Sequence, residues 1–319
     1  MRTIAVKANT ERQAISKSVG KWYSLESLQG TTSEEKVSYS EATATSPWQV
    51  LAGSEDIKVV DENTKAIVLI ILRKPSKILT DAKASIEFFG KQAKKMPSNN
   101  RGGAGGLFDE AMLRKTRPSF VVGRKSGIFA AYTLKSDGET SQTRLGNPAH
   151  SAILGWTSAK LRSNPNETNC CRLTALSLKH GAEIEAAAPF FNEISRLYSS
   201  YAPEHFDKQW RAIHSVRTNI KLGDSAFSTV TVNYNFRTGL HVDKGDFKEG
   251  LGVLYISIDQ PNAGGEIVFP EYDLAARLED GDCLLFDPHL WHATCPFNPT
   301  ATRITFVCYL GDRLLINCR

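Results

Sequence analysis

The sequence predicts an α+β protein in which a C-terminal β-barrel or β-sandwich follows a set of supporting helices. From Ser228 onwards, short runs rich in β-branched and aromatic residues are separated by glycine or proline, which is typical of such folds. Before them, residues 183–201 carry apolar side chains at the spacing of an amphipathic helix. Two candidate metal ligands, His241 and Asp243, stand two residues apart within the β-rich part.

The size and composition are those of a soluble globular protein. The chain has 319 residues, of which 41% are hydrophobic and 23% are charged. The longest apolar run, residues 66–72, is far shorter than the roughly 20 residues of a membrane-spanning helix. The opening residues lack the continuous apolar stretch of a secretory signal. We therefore expect an intracellular monomer without a membrane partner, in the nucleus of a eukaryote or the host-cell cytoplasm if viral.

The positive charge is concentrated in the first half of the chain. Residues 1–150 hold 23 basic and 15 acidic residues, whereas the remainder holds 16 and 19. Nine of the basic residues lie between Lys91 and Lys125, with two acidic ones among them. This distribution suits an enzyme that acts on a polyanion. A basic surface that serves solubility alone is the alternative.

The cysteines do not predict a disulfide framework. No two of them form a CxxC pair, and their spacings match no small secreted scaffold. This pattern predicts free thiols in a reducing compartment. The six residues are Cys170, Cys171, Cys283, Cys295, Cys308 and Cys318.

The first half of the chain predicts an accessory region and the start of a catalytic domain. Two β-like runs in residues 56–72 precede a probable helix over residues 80–95, and the glycine-rich residues 97–106 predict a flexible loop or linker. We therefore expect a basic accessory region over residues 1–105 and a catalytic domain over residues 106–319. Its β-rich core would span about residues 217–315.

Basic residues crowd the turns of a second set of predicted strands. A short helix at residues 109–115 leads to β-like runs at residues 119–122 and 128–134. Arg114, Lys115 and Arg124 lie in or between these elements, where side chains can reach backbone phosphates. We expect them to contact DNA. Helices predicted at residues 183–201 and 206–215 would pack on the barrel and support it.

One histidine, one carboxylate and a distant second histidine have the pattern of an iron site. Side chains alternate along a strand, so His241 and Asp243 project from the same face. With His292 they predict a two-histidine, one-carboxylate facial triad, which leaves three positions open at Fe(II). Arg303 follows on the last strand and suits a planar carboxylate such as that of 2-oxoglutarate. The spacing to Arg303 favours His292 over His289 as the third ligand.

The flanks of this motif add candidate contacts. If the strand continued unbroken, Asn233, Asn235 and Arg237 would share the face of His241 and point into the barrel. Asn235 or Arg237 could then contact the co-substrate or a nucleobase, although a solvent-facing polar side of the strand explains them as well. Asp246 is a candidate substrate contact, and its place beside Gly245 also fits an ordinary turn residue.

At these residues the chain resembles the TET/JBP family of 5-methylpyrimidine oxygenases. The resemblance covers about a quarter of the chain and is carried by NFRTGLHVDKGDF, GLGVL, GGEIVFPEY, GDCLLFDPHLWH and RITFVCYL. It implies a double-stranded β-helix core, which is jelly-roll and cupin-like, with supporting helices. It also implies Fe(II) held by His241, Asp243 and His292, 2-oxoglutarate held in part by Arg303, dioxygen as second co-substrate, and a 5-methylcytosine or thymine flipped out of DNA.

Three other functions are compatible with parts of the pattern. An algal branch of the family resembles this chain in having an aspartate where Asp246 stands, and it uses ascorbate to attach a glyceryl group to 5-methylcytosine. A 2-oxoglutarate-dependent protein hydroxylase would share the metal ligands and the basic residue. A non-catalytic DNA-binding module would share the fold. The presence of Arg303 favours 2-oxoglutarate, and the intact ligand set favours catalysis.

Overall fold

The computed structural model describes residues 1–8, 49–95, 97–98, 102–105, 114, 120–125, 128–145, 149–159 and 170–318. Its helices are α1 (Lys77–Asp81), α2 (Lys83–Lys95), α3 (Ala175–Lys179), α4 (Gly181–Ala186), α5 (Ala188–Tyr201), α6 (Pro203–His214) and α7 (Asp312–Asn317). Its strands are β1 (Arg2–Val6), β2 (Gln49–Leu51), β3 (Ile57–Asp61), β4 (Ile67–Leu72), β5 (Pro97–Ser98), β6 (Phe120–Lys125), β7 (Ile128–Leu134), β8 (Thr140–Leu145), β9 (Ala149–Ala159), β10 (Cys170–Leu173), β11 (Thr229–Tyr234), β12 (Gly252–Ile258), β13 (Ile267–Phe269), β14 (Leu274–Ala276), β15 (Cys283–Phe286), β16 (Ala293–Thr294) and β17 (Arg303–Tyr309).

A large sheet forms the framework of the molecule. Its strand order is β1-β3-β4-β15-β12-β17-β11-β9-β10, and β5 pairs with β9. The strands β15, β12, β17 and β11 are antiparallel neighbours at its centre. Because side chains alternate along each strand, the sheet presents two apolar faces, and both are buried.

A small sheet faces the large one. It consists of β16-β13-β14-β2, and its apolar side chains pack with those of β4, β12 and β15. His241 extends this sheet, since its main chain exchanges two hydrogen bonds with His292, at 3.0 and 2.9 Å. Two opposed sheets that enclose a cavity form the predicted jelly-roll-like β-helix core, so the predicted fold class is confirmed.

Helices cover the outer face of the large sheet. The helix α2 buries Ile86, Phe89 and Ala93, and α5 buries Phe190 and Phe191 against the same strands. The predicted helix over residues 80–95 is two helices in the structure, and Ser76 caps the first. The predicted helix over residues 183–201 is also interrupted, because a proline at the start of α5 lacks the N–H that a continuous helix needs.

The N-terminal strands belong to the same framework as the catalytic core. The strand β4 pairs with β15 over four residue pairs, and β3 extends the sheet beyond it. Arg73, which follows β4, forms a buried ion pair with Asp282 before β15, at 2.6 Å. The predicted division at residue 105 therefore does not separate two sheets. A separate three-stranded sheet, β6-β7-β8, lies between the two parts in sequence.

The prediction that all the cysteines are free thiols is wrong. Cys171 on β10 and Cys318 after α7 form a disulfide, with their Cα atoms 5.6 Å apart. Their spacing of 147 residues gave no local signal, because the fold alone brings the two ends together. Three other cysteines are buried and free, namely Cys283, Cys295 and Cys308.

Some predictions lie outside the described residues. They include residues 9–48 of the predicted accessory region, most of the helix at residues 109–115, and Lys115 itself. Within the glycine-rich stretch, residues 102–105 form one turn of 3₁₀ helix. Among the described residues, no helix is both long and apolar enough to span a bilayer.

Candidate active site

Three side chains converge between the two sheets. His241 Nε2 lies 3.5 Å from Asp243 Oδ1, and His292 Nε2 lies 3.4 Å from Asp243 Oδ2. One ligand atom from each residue falls within 4.8 Å of the others. The two histidines are opposed across the main-chain bridge, and Asp243 is held by a hydrogen bond from its N–H to the carbonyl of Pro288, at 2.9 Å. The structure thus gathers two imidazoles and one carboxylate.

Main-chain carbonyls orient both imidazoles. His241 Nδ1 lies 2.7 Å from the carbonyl oxygen of Gly239, and His292 Nδ1 lies 2.9 Å from that of Leu290. A carbonyl can only accept, so each Nδ1 donates its proton to the main chain and each Nε2 is the ring nitrogen that faces Asp243. Metal-binding histidines are held by such outer hydrogen bonds.

The protonation of the cluster also suits a metal. Burial, together with the charge of His292, lowers the pKa of His241 to about 4, so this imidazole is neutral at neutral pH. Burial favours a protonated Asp243, but hydrogen bonding and charge from His292 outweigh it and lower the pKa of Asp243. Burial lowers the pKa of His292, but the hydrogen bond and the charge of Asp243 outweigh it and raise that pKa. Metal ions bind neutral imidazoles and ionised carboxylates, so a bound metal would displace a proton from His292. The donor set fits Fe(II), and it would leave positions free for other ligands.

Arg303 lies at the start of β17 with only 2% of its surface exposed. Among the described residues, its Nε and Nη2 have no hydrogen-bond partner. Burial lowers the pKa of Arg303 to about 10, which still leaves the guanidinium charged at neutral pH. A buried charge with free donors is costly unless a ligand satisfies it. The planar donor group fits a carboxylate, as 2-oxoglutarate would provide.

The surroundings of Arg303 hold it in place. Its N–H donates to Asn235 Oδ1 at 2.6 Å, and its guanidinium carbon lies 5.7 Å from the ring centroid of Phe297. Gly265, at φ +78°, passes so close that a Cβ there would lie 3.1 Å from Arg303 Nε. The second glycine of the GGE sequence is thus required by both its backbone conformation and the adjacent arginine.

A cavity of about 180 Å³ connects the candidate metal ligands with Arg303. Asn233 lines it and is fixed by Ser151, whose Oγ is 2.5 Å from Asn233 Oδ1, and by Thr305, at 3.2 Å. Asp246 also lines it and is buried. Burial, with the charge of Asp243, raises the pKa of Asp246 well above that of an ordinary aspartate.

Two predicted contacts do not reach the cavity. The strand ends at Tyr234 and Asn235 takes a left-handed conformation, with φ +45°, so the expected alternation stops there. Asn235 uses both polar atoms of its side chain on the main chain, at Arg303 N and Ala301 O. Arg237 Nε donates to the carbonyl of Thr294 at 3.2 Å. Both residues therefore support the site from outside.

Of the two neighbouring histidines, the structure brings His292 rather than His289 into the cluster. His289 Nδ1 lies 3.2 Å from Asp287 Oδ1, and hydrogen bonding to Asp287 raises the pKa of His289. Arg114 is exposed, with its guanidinium carbon 4.8 Å from the ring centroid of Phe120. Arg124 lies in β6. The DNA contacts expected of these basic residues stay predictions.

Ala104 lines the cavity although its sequence context did not predict a role in the site. Ala104, in the glycine-rich stretch, contributes to the wall, and its carbonyl accepts a hydrogen bond from Gly239 N at 3.0 Å. Gly239 in turn holds the imidazole of His241. Glycine-rich composition predicts a linker by default, so only the folded structure shows that this turn is part of the site.

Comparison with known proteins identifies the fold family. The family described as Tet_JBP, the oxygenase domain of the 2OGFeDO superfamily, matches residues 159–312, which include the three candidate ligands and Arg303. Residues 159–312, just under half of the chain, thus carry the TET/JBP oxygenase domain. The matched segment begins at the last residue of β9 and ends at the first residue of α7, so β1–β8 and nearly all of β9 lie before it.

Curated relatives of this chain are found among trypanosomatids. It is 37% identical over 176 residues to the bifunctional helicase and thymine dioxygenase JBP2 of Leishmania infantum, covering 54% of this chain and 15% of that protein. It is 30% identical over 209 residues to the thymine dioxygenase JBP1 of Crithidia fasciculata, covering 64% of this chain and 25% of that protein. The chain thus spans a quarter or less of the length of these relatives.

A solved structure described as NgTET1 in complex with 5mC DNA is also similar to this chain. The similarity covers 91% of this chain and 92% of that one, with a TM-score of 0.46 and 13% sequence identity.

Proposed function

We propose that this protein is an Fe(II)- and 2-oxoglutarate-dependent dioxygenase that oxidises the C5-methyl group of a pyrimidine in DNA. The observation that carries the proposal is the cavity in which His241, Asp243 and His292 lie opposite the free donors of Arg303. The names of the curated relatives, thymine dioxygenases, support a methylated pyrimidine as the substrate.

In this proposal, each group of residues has a distinct task. His241, Asp243 and His292 hold the metal on one side and leave the cavity side open. Arg303 binds the distal carboxylate of 2-oxoglutarate, while the surrounding apolar side chains exclude water. With both bound, Fe(II) supplies oxidation of a C–H bond by dioxygen while 2-oxoglutarate is converted to succinate and carbon dioxide. The enclosed position of the ligands requires the target base to leave the duplex.

The base itself is proposed at the level of a 5-methylpyrimidine, either 5-methylcytosine or thymine. Asn233 and Asp246 line the cavity, and their polar groups are suited to a base edge. Ascorbate in place of 2-oxoglutarate is the second candidate, because Asp246 occupies the position that marks the glyceryl-transferring branch. The free donors of Arg303 favour 2-oxoglutarate.

The decisive experiment identifies the product nucleoside. The protein, loaded with Fe(II), is incubated with duplexes that contain either 5-methylcytosine or thymine as the only methylated base, with 2-oxoglutarate or ascorbate. Mass spectrometry of the digested DNA is expected to show a hydroxymethyl nucleoside with 2-oxoglutarate. A glyceryl adduct with ascorbate would favour the second candidate, and no new nucleoside under any condition would contradict both.

Gly265→Ala is expected to weaken 2-oxoglutarate binding about tenfold, because the new methyl group would displace the Arg303 side chain. Gly138→Ala is the matched control, since Gly138 has φ +82° but no atom within 4 Å of its Cβ position. Both changes cost about 1–2 kcal/mol of stability for the left-handed backbone. Calorimetric titration measures the affinity of each variant for 2-oxoglutarate and so separates the loss of binding from the loss of stability. Equal affinities for the two variants would contradict the expected role of Gly265.

Reversing the charges of Arg114, Lys115 and Arg124 to Glu is expected to weaken DNA binding and to flatten its salt dependence. Each lost phosphate contact lowers the slope of log K against log salt by about one. Lys65→Glu, on the turn before β4 and outside the basic cluster, is the control for general charge. Fluorescence anisotropy at several salt concentrations measures the slope. A slope equal to that of the wild type would show that these three residues do not contact phosphates and serve the solubility of the protein instead.

A further inference from the structure

A buried carboxylate, Glu266, lies near Arg303 and is paired with the partly exposed Arg277. Glu266, the acidic residue of the GGE sequence, has a fully buried side chain, and Arg277 after β14 donates from Nε to Glu266 Oε1 at 2.9 Å. Gly265 is adjacent to Glu266 and passes within contact distance of Arg303. One carboxylate therefore lies near two guanidinium groups, those of Arg277 and Arg303.

The Glu266 carboxylate interacts with Arg277 through a hydrogen bond and with Arg303 through its charge. Burial lowers the pKa of Arg303, and the charge of Glu266 raises it again. A fully buried carboxylate needs a cationic partner, since an uncompensated buried charge is strongly destabilising. Arg277 supplies that partner through a direct hydrogen bond. Arg303 keeps Nε and Nη2 without a hydrogen-bond partner among the described residues.

We propose that Arg277 sets the affinity of the site for 2-oxoglutarate by neutralising Glu266, so that Arg303 remains available to a carboxylate ligand. Without the Arg277 guanidinium, Glu266 would draw the Arg303 guanidinium towards itself and compete with the co-substrate for the same donors. Arg277 is a positioning residue, because it acts through Glu266 and does not line the cavity. The inference rests on the proposed function in taking 2-oxoglutarate as the ligand of Arg303.

The side chain of Arg277 can be changed without removing its main-chain contacts. Arg277 N donates to the carbonyl of Leu51 at 3.1 Å, and Arg277 O accepts from Arg73 Nη1 at 2.8 Å. These bonds connect the residue after β14 to the end of β2 and to Arg73, which follows β4. They persist when only the guanidinium is replaced, so the charge of Arg277 is separable from its structural role.

The test is a double-mutant cycle on 2-oxoglutarate binding. Arg277→Met, Glu266→Gln and the double variant are loaded with Mn(II), which supports binding without turnover, and titrated with 2-oxoglutarate by calorimetry. Arg277→Met is expected to bind 2-oxoglutarate about tenfold more weakly, equivalent to about 1.4 kcal/mol. The double variant is expected to recover most of that loss, because the competing carboxylate is gone. Arg277→Lys keeps the charge and is expected to stay close to the wild type.

Several results would overturn the inference. They are wild-type affinity in Arg277→Met, no recovery in the double variant, or an equal loss in Arg277→Lys. Steady-state kinetics add a second readout: the KM for 2-oxoglutarate should rise in Arg277→Met while the KM for DNA is unchanged. Should Arg277→Met not fold, Arg277→Gln takes its place in the cycle, with the same expected loss of affinity and the same expected recovery when it is combined with Glu266→Gln.

The binding test is independent of DNA chemistry. A wild-type protein that binds 2-oxoglutarate but yields no oxidised nucleoside would contradict the proposed function and leave the role of Arg277 standing. A wild-type protein that does not bind 2-oxoglutarate would overturn the inference together with the assignment of Arg303.

Discussion

Asp243→Ala is expected to abolish iron binding and turnover while leaving the fold intact. Asp243 lies between both histidines and is the only carboxylate of the candidate ligand set in the described part of the chain. Loss of a residue that merely orients a ligand typically costs about 10–100-fold in metal affinity, and loss of the ligand itself costs more. The remaining two imidazoles cannot complete a facial triad. Elemental analysis after loading with Fe(II), combined with the nucleoside assay, measures both effects.

His289→Gln is the matched control for this prediction. His289 is close in sequence to His292 but pairs with Asp287, so its replacement is expected to leave metal content and turnover near those of the wild type. Circular dichroism establishes that both variants are folded. Full turnover in Asp243→Ala would show that the ligand assignment is wrong, and a loss of bound iron in His289→Gln would move the third ligand from His292 to His289.

Asp282→Ala is expected to lower the free energy of unfolding by about 3–5 kcal/mol, as the loss of one partner of a buried ion pair does. The Asp282 side chain is 2% exposed and that of Arg73 is 9% exposed. Asp282 also accepts main-chain hydrogen bonds from Lys74 and Glu279, at 3.2 and 2.8 Å. Removal of the carboxylate would leave a buried guanidinium and two main-chain donors without this partner. Denaturant unfolding measures the change.

The exposed pair Lys135–Glu139 provides the comparison for Asp282. Lys135 Nζ lies 3.1 Å from Glu139 Oε2, but the side chain of Lys135 is 46% exposed and that of Glu139 is 73% exposed. Glu139→Ala is therefore expected to change the free energy of unfolding by less than about 1 kcal/mol. If Asp282→Ala were no more destabilising than Glu139→Ala, the link between β4 and β15 would not depend on this ion pair.

The metal-ligand set was accessible from the sequence through its residue types and spacing, although the strand predicted to carry it is wrong: His241 forms an isolated bridge with His292, and Asp243 lies outside the strands. His241 and Asp243 are two apart, and Arg303 lies in a strand whose direction the surrounding pattern predicts. The prediction failed at Asn235, where a left-handed residue ends the alternation. It also failed for the disulfide between Cys171 and Cys318, since pairing over 147 residues depends on tertiary structure alone.

The pairing partners of the N-terminal strands could not be predicted from the sequence either. The runs in residues 56–72 have strand composition, but composition does not say which sheet a strand will join. The structure places β4 beside β15 and brings Arg73 to Asp282 across 209 residues of sequence. The position of Ala104 in the cavity wall was likewise not predictable, because its hydrogen bond with Gly239 joins residues that are far apart in the sequence.

The pairing of β4 with β15 has a consequence for how this family domain can be moved between proteins. A recombinant fragment limited to residues 159–312 would leave the edge of β15 without β4 and the large sheet without the cover of α2. An open edge of that kind invites aggregation. Residues 57–95 are therefore expected to be needed, together with the matched segment, for a stable transplanted domain.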